Sequence, residues 1–232
     1  PGYGKSFKPK VTNHHKPFSK VFMAKDMVNF MERLGFKTFY IVAHDRGARI
    51  AHRLALDFPE KVIKMILLDI IPTIEHFERA DMKFAMGYYH WFWLAQRKPI
   101  PEMVINKAPE EWFFAHTSRE KKDTNFFDPM ALKDYLECIK DPKTVTSICE
   151  DYRAASTIDL HDDNISREKN NKLKMPLLVL WGSKGKIEQW YKPLCIWQKY
   201  CLQKVNGNSI VSGHYLAEEN PVSIIKNIKS FF

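Results

Sequence analysis

The 232-residue sequence has only four cysteines, and none of them shows CxxC spacing or a histidine nearby at metal-ligand spacing. This predicts reduced, mostly buried thiols and no structural disulfide or metal site. The sequence also lacks an apolar run of the roughly 18 to 20 residues needed to cross a bilayer, and no basic-then-apolar leader opens it. We therefore expect a globular, cytoplasmic protein without a membrane partner.

Basic residues do not form an organised stripe along the sequence. Lysine and arginine total 36 against 27 acidic residues, a formal net charge of +9, but lysines alternate with acids instead of interleaving with stacking aromatics. This distribution favours a solvated lysine-rich surface and argues against a nucleic-acid partner. A positive field can still draw in a small anionic substrate.

Short apolar segments alternate with helical patterns and predict an α/β fold with a mostly parallel sheet and flanking helices. The strand candidates are 39–42, 65–68, 177–180 and, more weakly, 209–211, and apolar spacing predicts a helix over 21–34. More than a hundred residues rich in aromatics separate the second strand from the third. This length predicts an inserted helical cap, so that 1–73 and 168–232 form the core and 74–167 the cap.

The segment Ala43-His44-Asp45-Arg46-Gly47-Ala48-Arg49 lies where the first strand should turn into a helix. Small residues around Asp45 would let strand and helix approach closely, which is the pattern of a nucleophile elbow with aspartate as the attacking group. The alternative is an ordinary Asp that caps the helix.

An aspartyl ester needs a base to activate water and an acid to orient that base. His214 follows the last strand candidate and is the best placed of the nine histidines. The orienting acid has two candidates. Asp69 ends the second strand and is preferred, and Glu188, beyond the third strand, is the reserve.

Two arginines and a set of cap aromatics could bind substrate. Arg46 and Arg49 are three residues apart beside Asp45, so they share one helix face and predict a clamp for a substrate carboxylate. Pairing with surface acids is the alternative. In the cap, His90 and Trp91 are hydrogen-bond donors suited to a leaving halide, although such residues more often pack in a core.

The chain resembles the haloacetate dehalogenases of the α/β-hydrolase fold, including those that act on fluoroacetate. The resemblance runs the whole length and rests on seven motifs: Pro1-Gly2-Tyr3-Gly4, His44 to Arg49, Leu68-Asp69-Ile70-Ile71-Pro72-Thr73, Tyr89-His90-Trp91, Leu94-Ala95-Gln96, Cys149 to Ala154, and Gly213-His214-Tyr215-Leu216 followed by Glu218-Glu219.

The resemblance implies a cofactor-free hydrolysis of a small anionic haloacid to a 2-hydroxy acid such as glycolate. The implied roles are Asp45 as nucleophile, His214 as base, Asp69 as its partner, Arg46 and Arg49 as carboxylate clamp, and His90, Trp91 and Tyr152 as halide pocket. Tyr152 is assigned by the resemblance alone. The resemblance also leaves a homodimer open.

The family's first strands and a His-Gly-Phe-Pro-like loop have no counterpart in this sequence. Either the sequence is a fragment of a longer product, or the gene is truncated, in which case we expect an exposed strand edge that makes the protein unstable or prone to self-association. Two alternative functions stay open. An epoxide hydrolase would share the ester chemistry, but Trp usually follows its nucleophile where this chain has Arg46. A non-catalytic anion-binding remnant is the other.

Overall fold

A computed structural model describes residues 1–118 and 125–232 of the chain. Within these ranges four strands form one parallel sheet in the order β1-β2-β3-β4. Their bounds are Phe39–His44, Val62–Leu68, Leu177–Gly182 and Asn206–Ile210. All four predicted strands are therefore present. The fourth begins three residues earlier than expected, because its polar Asn-Gly-Asn start shows no apolar pattern.

Helices precede, separate and follow the strands. The predicted first helix is confirmed as α1, Lys20–Arg33. The other helices are α2 (Asp45–Asp57), α3 (Thr73–Glu78), α4 (Met82–Gly87), α5 (His90–Leu94), α6 (Ile100–Ile105), α7 (Pro109–Ser118), α8 (Pro129–Ile139), α9 (Pro142–Ser156), α10 (Ile158–Glu168), α11 (Lys186–Trp190), α12 (Pro193–Gln198), α13 (Leu216–Glu219) and α14 (Pro221–Phe231), with short 3₁₀ turns at Lys16–Phe18 and Pro59–Lys61.

The sheet buries apolar side chains on both faces, as expected of parallel strands. On one face, residues of α1 and α2 pack against β1, β2 and β3 in a cluster that includes Met65, Leu67 and Val179. On the other, Ile66, Leu68 and Leu180 pack with Ile224 of α14. Exposed apolar side chains are also present, as on the outer strand β1, where Tyr40 is 49% and Val42 41% exposed.

The chain divides into two compact units. The sheet unit comprises 20–78 and 160–232, and the helical unit comprises 1–19 and 79–159. The N-terminal residues belong to the helical unit because they pack on α9: Gly2 lies against Ser147, Tyr3 donates a hydrogen bond to Asp151, and His15 contacts Glu150 at 2.6 Å.

These units differ from the sequence-based division into 1–73 plus 168–232 and 74–167, which remains a prediction about domains. Residues 119–124 of that predicted cap lie outside the described residues. No helix in the described ranges is long and apolar enough to cross a membrane. The four cysteines are free thiols; Cys149 and Cys201 are buried, Cys138 is half-buried and Cys195 is exposed.

Candidate active site

The strand β1 turns directly into α2 at Asp45, as the elbow interpretation predicts. Asp45 has φ +45°, a left-handed conformation that costs a non-glycine residue on the order of 1 to 3 kcal/mol and is found at functional sites. Its carboxylate remains 37% exposed. An ordinary capping Asp needs no such backbone, so the conformation favours a carboxylate that is presented for contact.

The steric part of the elbow argument holds for Ala48 and fails for Gly47. Ala48 is fully buried. A Cβ built on Gly47, by contrast, meets no heavy atom of the described structure within 4 Å beyond its own helix backbone and chain neighbours. The prediction that Gly47 must be small for strand and helix to approach was therefore wrong.

The structure brings His214 between two carboxylates. Its Nδ1–H donates to Asp69 Oδ2 at 2.6 Å, and its Nε2 lies 3.8 Å from Asp45 Oδ2. The second Asp69 oxygen, Oδ1, accepts from the backbone N–H of Gly182 at 2.9 Å. Asp69 is thus buried, oriented and hydrogen-bonded at both oxygens, whereas Asp45 faces the other ring nitrogen.

The two candidate acids have different partners in the structure. Glu188 accepts a hydrogen bond from the indole N–H of Trp181, and Asp69 contacts the imidazole. The preferred orienting acid therefore occupies the predicted place, and the reserve candidate has a different partner.

The charged groups of the site shift one another's pKa values. Burial alone would lower the pKa of His214, but Asp45 and Asp69 outweigh it and raise that pKa to about 9. Burial alone would raise the pKa of the Asp45 carboxyl, but interaction with His214 and the positive charge of Arg49 hold it well below its usual value. At neutral pH the resting site therefore holds a carboxylate beside an imidazolium.

Arg46 and Arg49 lie in the first two turns of α2 and are both buried, with 9% and 5% of their surface exposed. The Nη1 group of Arg49 donates to the carbonyl oxygen of Ile71 at 3.2 Å and to Thr73 Oγ1 at 3.1 Å. Both acceptors belong to the segment that follows Asp69. The segment after β2 therefore contains the acid that contacts His214. The same segment also accepts the hydrogen bonds of an arginine that is close in sequence to Asp45.

The predicted halide-binding residues lie together in the helical unit. The ring centroid of Tyr152, on α9, is 5.7 Å from that of His90 and 6.2 Å from that of Trp91, both on α5. All three side chains are buried. A fourth ring, that of His116, lies 4.7 Å from His90. Their halide-binding role stays a prediction.

Among the described residues, no group of three or more His, Cys, Asp or Glu side chains is arranged to hold a metal ion. The chemistry that the geometry supports is covalent catalysis by a carboxylate with an adjacent imidazole.

The alpha/beta hydrolase fold family matches residues 1–221 of the chain. The protein belongs to this family. A fluoroacetate dehalogenase from Burkholderia sp is 34% identical to it over 231 residues, which cover 99% of this chain and 75% of that enzyme. The relationship to the haloacetate dehalogenases predicted from the motifs is thereby confirmed.

Solved structures show the same fold. An alpha/beta hydrolase from Nostoc sp PCC 7120 superposes with a TM-score of 0.95 and 44% identity, covering 99% of this chain and 78% of that one. A protein from Pseudomonas aeruginosa described as an epoxide hydrolase gives a TM-score of 0.90 and 32% identity, covering 100% and 76%. The protein is therefore a hydrolase, and its relatives include proteins described as a fluoroacetate dehalogenase and as an epoxide hydrolase.

Three residues of this hydrolase site were missed from the sequence. Thr73 contacts Arg49, the ring of His44 donates from Nε2 to the carbonyl oxygen of His214 at 2.8 Å, and Glu219 contacts the backbone around His214. Glu219 is the fourth residue of its helix, one position beyond that from which a capping-box acid reaches back to the N-cap amide, so this pattern alone does not predict its contacts.

Proposed function

We propose that the protein hydrolyses a haloacetate to glycolate and halide through an ester on Asp45. The observation that supports this best is the arrangement of two carboxylates around one imidazole, with Asp69 on Nδ1 and Asp45 facing Nε2, while the positive charge of Arg49 acts on Asp45. A nucleophile, a base, an orienting acid and a cation are together sufficient for two-step displacement.

In the first step an Asp45 oxygen attacks the carbon that bears the halogen. A C–O bond forms, the carbon–halogen bond breaks, and the halide leaves with the bonding electrons. Arg46 and Arg49 would hold the substrate carboxylate so that the reacting carbon faces Asp45. The halide-binding role of His90, Trp91 and Tyr152 rests on the resemblance to the haloacetate dehalogenases.

The second step depends on a change in charge at Asp45. Esterification removes the negative charge that helps to raise the pKa of His214 to about 9. The imidazolium then loses its proton more easily and becomes the base. His214 Nε2 takes one proton from water as that water attacks the ester carbonyl, and the bond between the Asp45 carbonyl carbon and the substrate oxygen then breaks. The second hydrogen of the water passes to the departing oxygen, so that glycolate leaves with its hydroxyl group and the Asp45 carboxylate is restored.

The test is halide release from chloroacetate and fluoroacetate by the wild-type protein and by Asp45→Asn. Asparagine tolerates the positive φ at this position, so the fold should persist while halide release falls on the order of 10⁴-fold or more. Asp26→Asn, an exposed site on α1, is the matched control and should keep wild-type activity. Full activity of Asp45→Asn would contradict the proposal.

An epoxide hydrolase is the second candidate, because a relative of that description shares the fold and the same ester chemistry would open an epoxide. Two buried arginines beside the nucleophile favour a substrate that carries its own carboxylate. Diol formation from a neutral epoxide without halide release from haloacids would reverse this order. Binding of carboxylates without turnover would favour the anion-binding alternative.

A further inference from the structure

The backbone on both sides of His214 is held by one side chain. The N–H of Gly213 donates to Glu219 Oε2 at 2.6 Å, and the N–H of Tyr215 donates to Glu219 Oε1 at 2.9 Å. Glu219 is the last residue of the four-residue helix α13. Each oxygen of its carboxylate therefore fixes one peptide next to the proposed base.

The two hydrogen bonds of Glu219 act on different parts of the structure. Tyr215 is the N-cap of α13, so the carboxylate on its N–H satisfies an amide at the start of the helix, although from the fourth helical residue and not from the third as in a capping box. Gly213 lies outside the helix, and capping does not require a bond to its N–H. The contact with Gly213 therefore acts on the loop that carries His214 and not on the helix.

The loop has little space on its other sides. A Cβ on Gly182 would lie 1.9 Å from the carbonyl oxygen of Gly213, and a Cβ on Gly213 would lie 3.0 Å from Glu219 Oε1. The carbonyl oxygen of His214 accepts from His44 Nε2 at 2.8 Å. The loop is therefore packed between the end of β3, the residue before Asp45 and the carboxylate of Glu219.

We propose that Glu219 is a positioning residue that sets the distance from His214 to Asp45 by holding the peptides of Gly213 and Tyr215. The inference rests on the proposed function, since it assumes that His214 activates the hydrolytic water. Because Nε2 already lies 3.8 Å from Asp45 Oδ2, the space for that water is narrow. A displacement of about 1 Å can cost up to about a hundredfold in rate.

The variant that tests this is Glu219→Gln. A glutamine side chain has one oxygen, so it can accept from only one of the two amides, and its NH₂ group opposes the other. Attack by Asp45 on the haloacetate does not use His214, whereas hydrolysis of the ester does. The first halide release should therefore stay near the wild-type rate, while steady-state turnover falls about tenfold to a hundredfold.

The measurement is rapid-quench chloride release from chloroacetate, with intact mass of the quenched protein. Burst amplitude counts the competent sites, so a loss of folded protein is separated from a loss of turnover per site. The proposal expects Asp45 ester to accumulate in Glu219→Gln. Unchanged turnover per competent site would overturn it. Glu168→Gln, an exposed site on α10, is the control and should resemble the wild type.

A second readout does not depend on activity. The proton between His214 Nδ1 and Asp69 can be followed by NMR, and the proposal expects its resonance to shift or to exchange faster with solvent in Glu219→Gln. An unchanged resonance would overturn the positioning role. A wild-type protein that releases no halide would instead contradict the proposed function, so the two failures are distinguishable.

Discussion

The turns after β1 and β2 carry the same residue in the same unusual backbone conformation and present it in opposite ways. Asp45 has φ +45° and Asp69 has φ +52°, and they follow His44 and Leu68, which are register partners on adjacent parallel strands. The Asp45 side chain is 37% exposed, whereas that of Asp69 is 0% exposed.

The difference lies in their hydrogen bonds. Asp69 is bonded at both oxygens, by His214 and by the backbone of Gly182, so its carboxylate cannot turn toward a substrate. Asp45 lies 3.8 Å from the second nitrogen of the same imidazole and keeps an accessible face. Residue type and strand position are thus insufficient to separate the two proposed roles, and the satisfied or exposed state of each carboxylate is what distinguishes them.

The variant with the largest expected effect on this difference between the two aspartates is Asp69→Asn. The N–H of Gly182 should hold the amide oxygen, which directs the NH₂ group at His214 Nδ1 and forces the wrong imidazole tautomer. Turnover should fall about 10³- to 10⁴-fold, while the first halide release persists because Asp45 is intact. Burst and steady-state kinetics measure both. Loss of the burst would assign nucleophilic character to Asp69 and contradict the division of roles.

The second prediction concerns pH. The pKa of His214 is raised to about 9 from an ordinary value of 6.5, so its charged interactions stabilise the folded state fully below pH 6.5. This stabilisation is lost as the pH rises through 9, and it amounts to at most about 3 kcal/mol. Urea unfolding at a series of pH values should show the decline in the wild type. The same decline in His214→Gln would refute its assignment to this histidine.

The third prediction is Thr73→Val, which keeps the side-chain shape and removes the acceptor at 3.1 Å from Arg49 Nη1. One hydrogen bond to a charged group is worth about 1.5 to 3 kcal/mol, and Ile71 still holds the guanidinium, so we expect about a tenfold higher KM for chloroacetate with little change in kcat. Thr73→Ser should restore the wild-type KM. A fall in kcat alone would show that Thr73 does not act through the carboxylate clamp.

The smallest effect is expected at the elbow itself. Gly47→Ala places a methyl group in open space within the described structure, and alanine favours a helix by roughly 0.5 to 1 kcal/mol over glycine. Thermal unfolding should show equal or slightly higher stability, with normal activity. A destabilised variant would restore the steric interpretation that the structure contradicts.

The parts that the sequence predicts correctly are those with a strong local pattern. Residues 65–68 and 177–180 are continuous apolar runs, and such runs are typical of strands buried on both faces. The elbow was recognisable because a strand pattern, Asp45 and a helix pattern follow one another without a gap. Asp69 could be preferred to Glu188 because it directly ends a strand.

The rest depends on tertiary contacts that have no local pattern. The start of β4 at Asn206 is polar and exposed, so its composition does not predict a strand. It is a strand because it pairs with β3. The contact of Glu219 with Gly213 depends on how the loop folds back, which the motif alone does not show. The grouping of residues 1–19 with the helical unit likewise follows from long-range contacts with α9.

The central claim is that Asp45 forms an ester with the substrate, and a single turnover with chloroacetate in ¹⁸O-labelled water tests it most directly. With excess enzyme, the account predicts that the oxygen transferred to glycolate comes from Asp45. The label should therefore appear in the peptide that contains Asp45, and the glycolate should be unlabelled. Labelled glycolate from an unlabelled protein would mean that water attacks the substrate directly, and would contradict the nucleophilic role of Asp45.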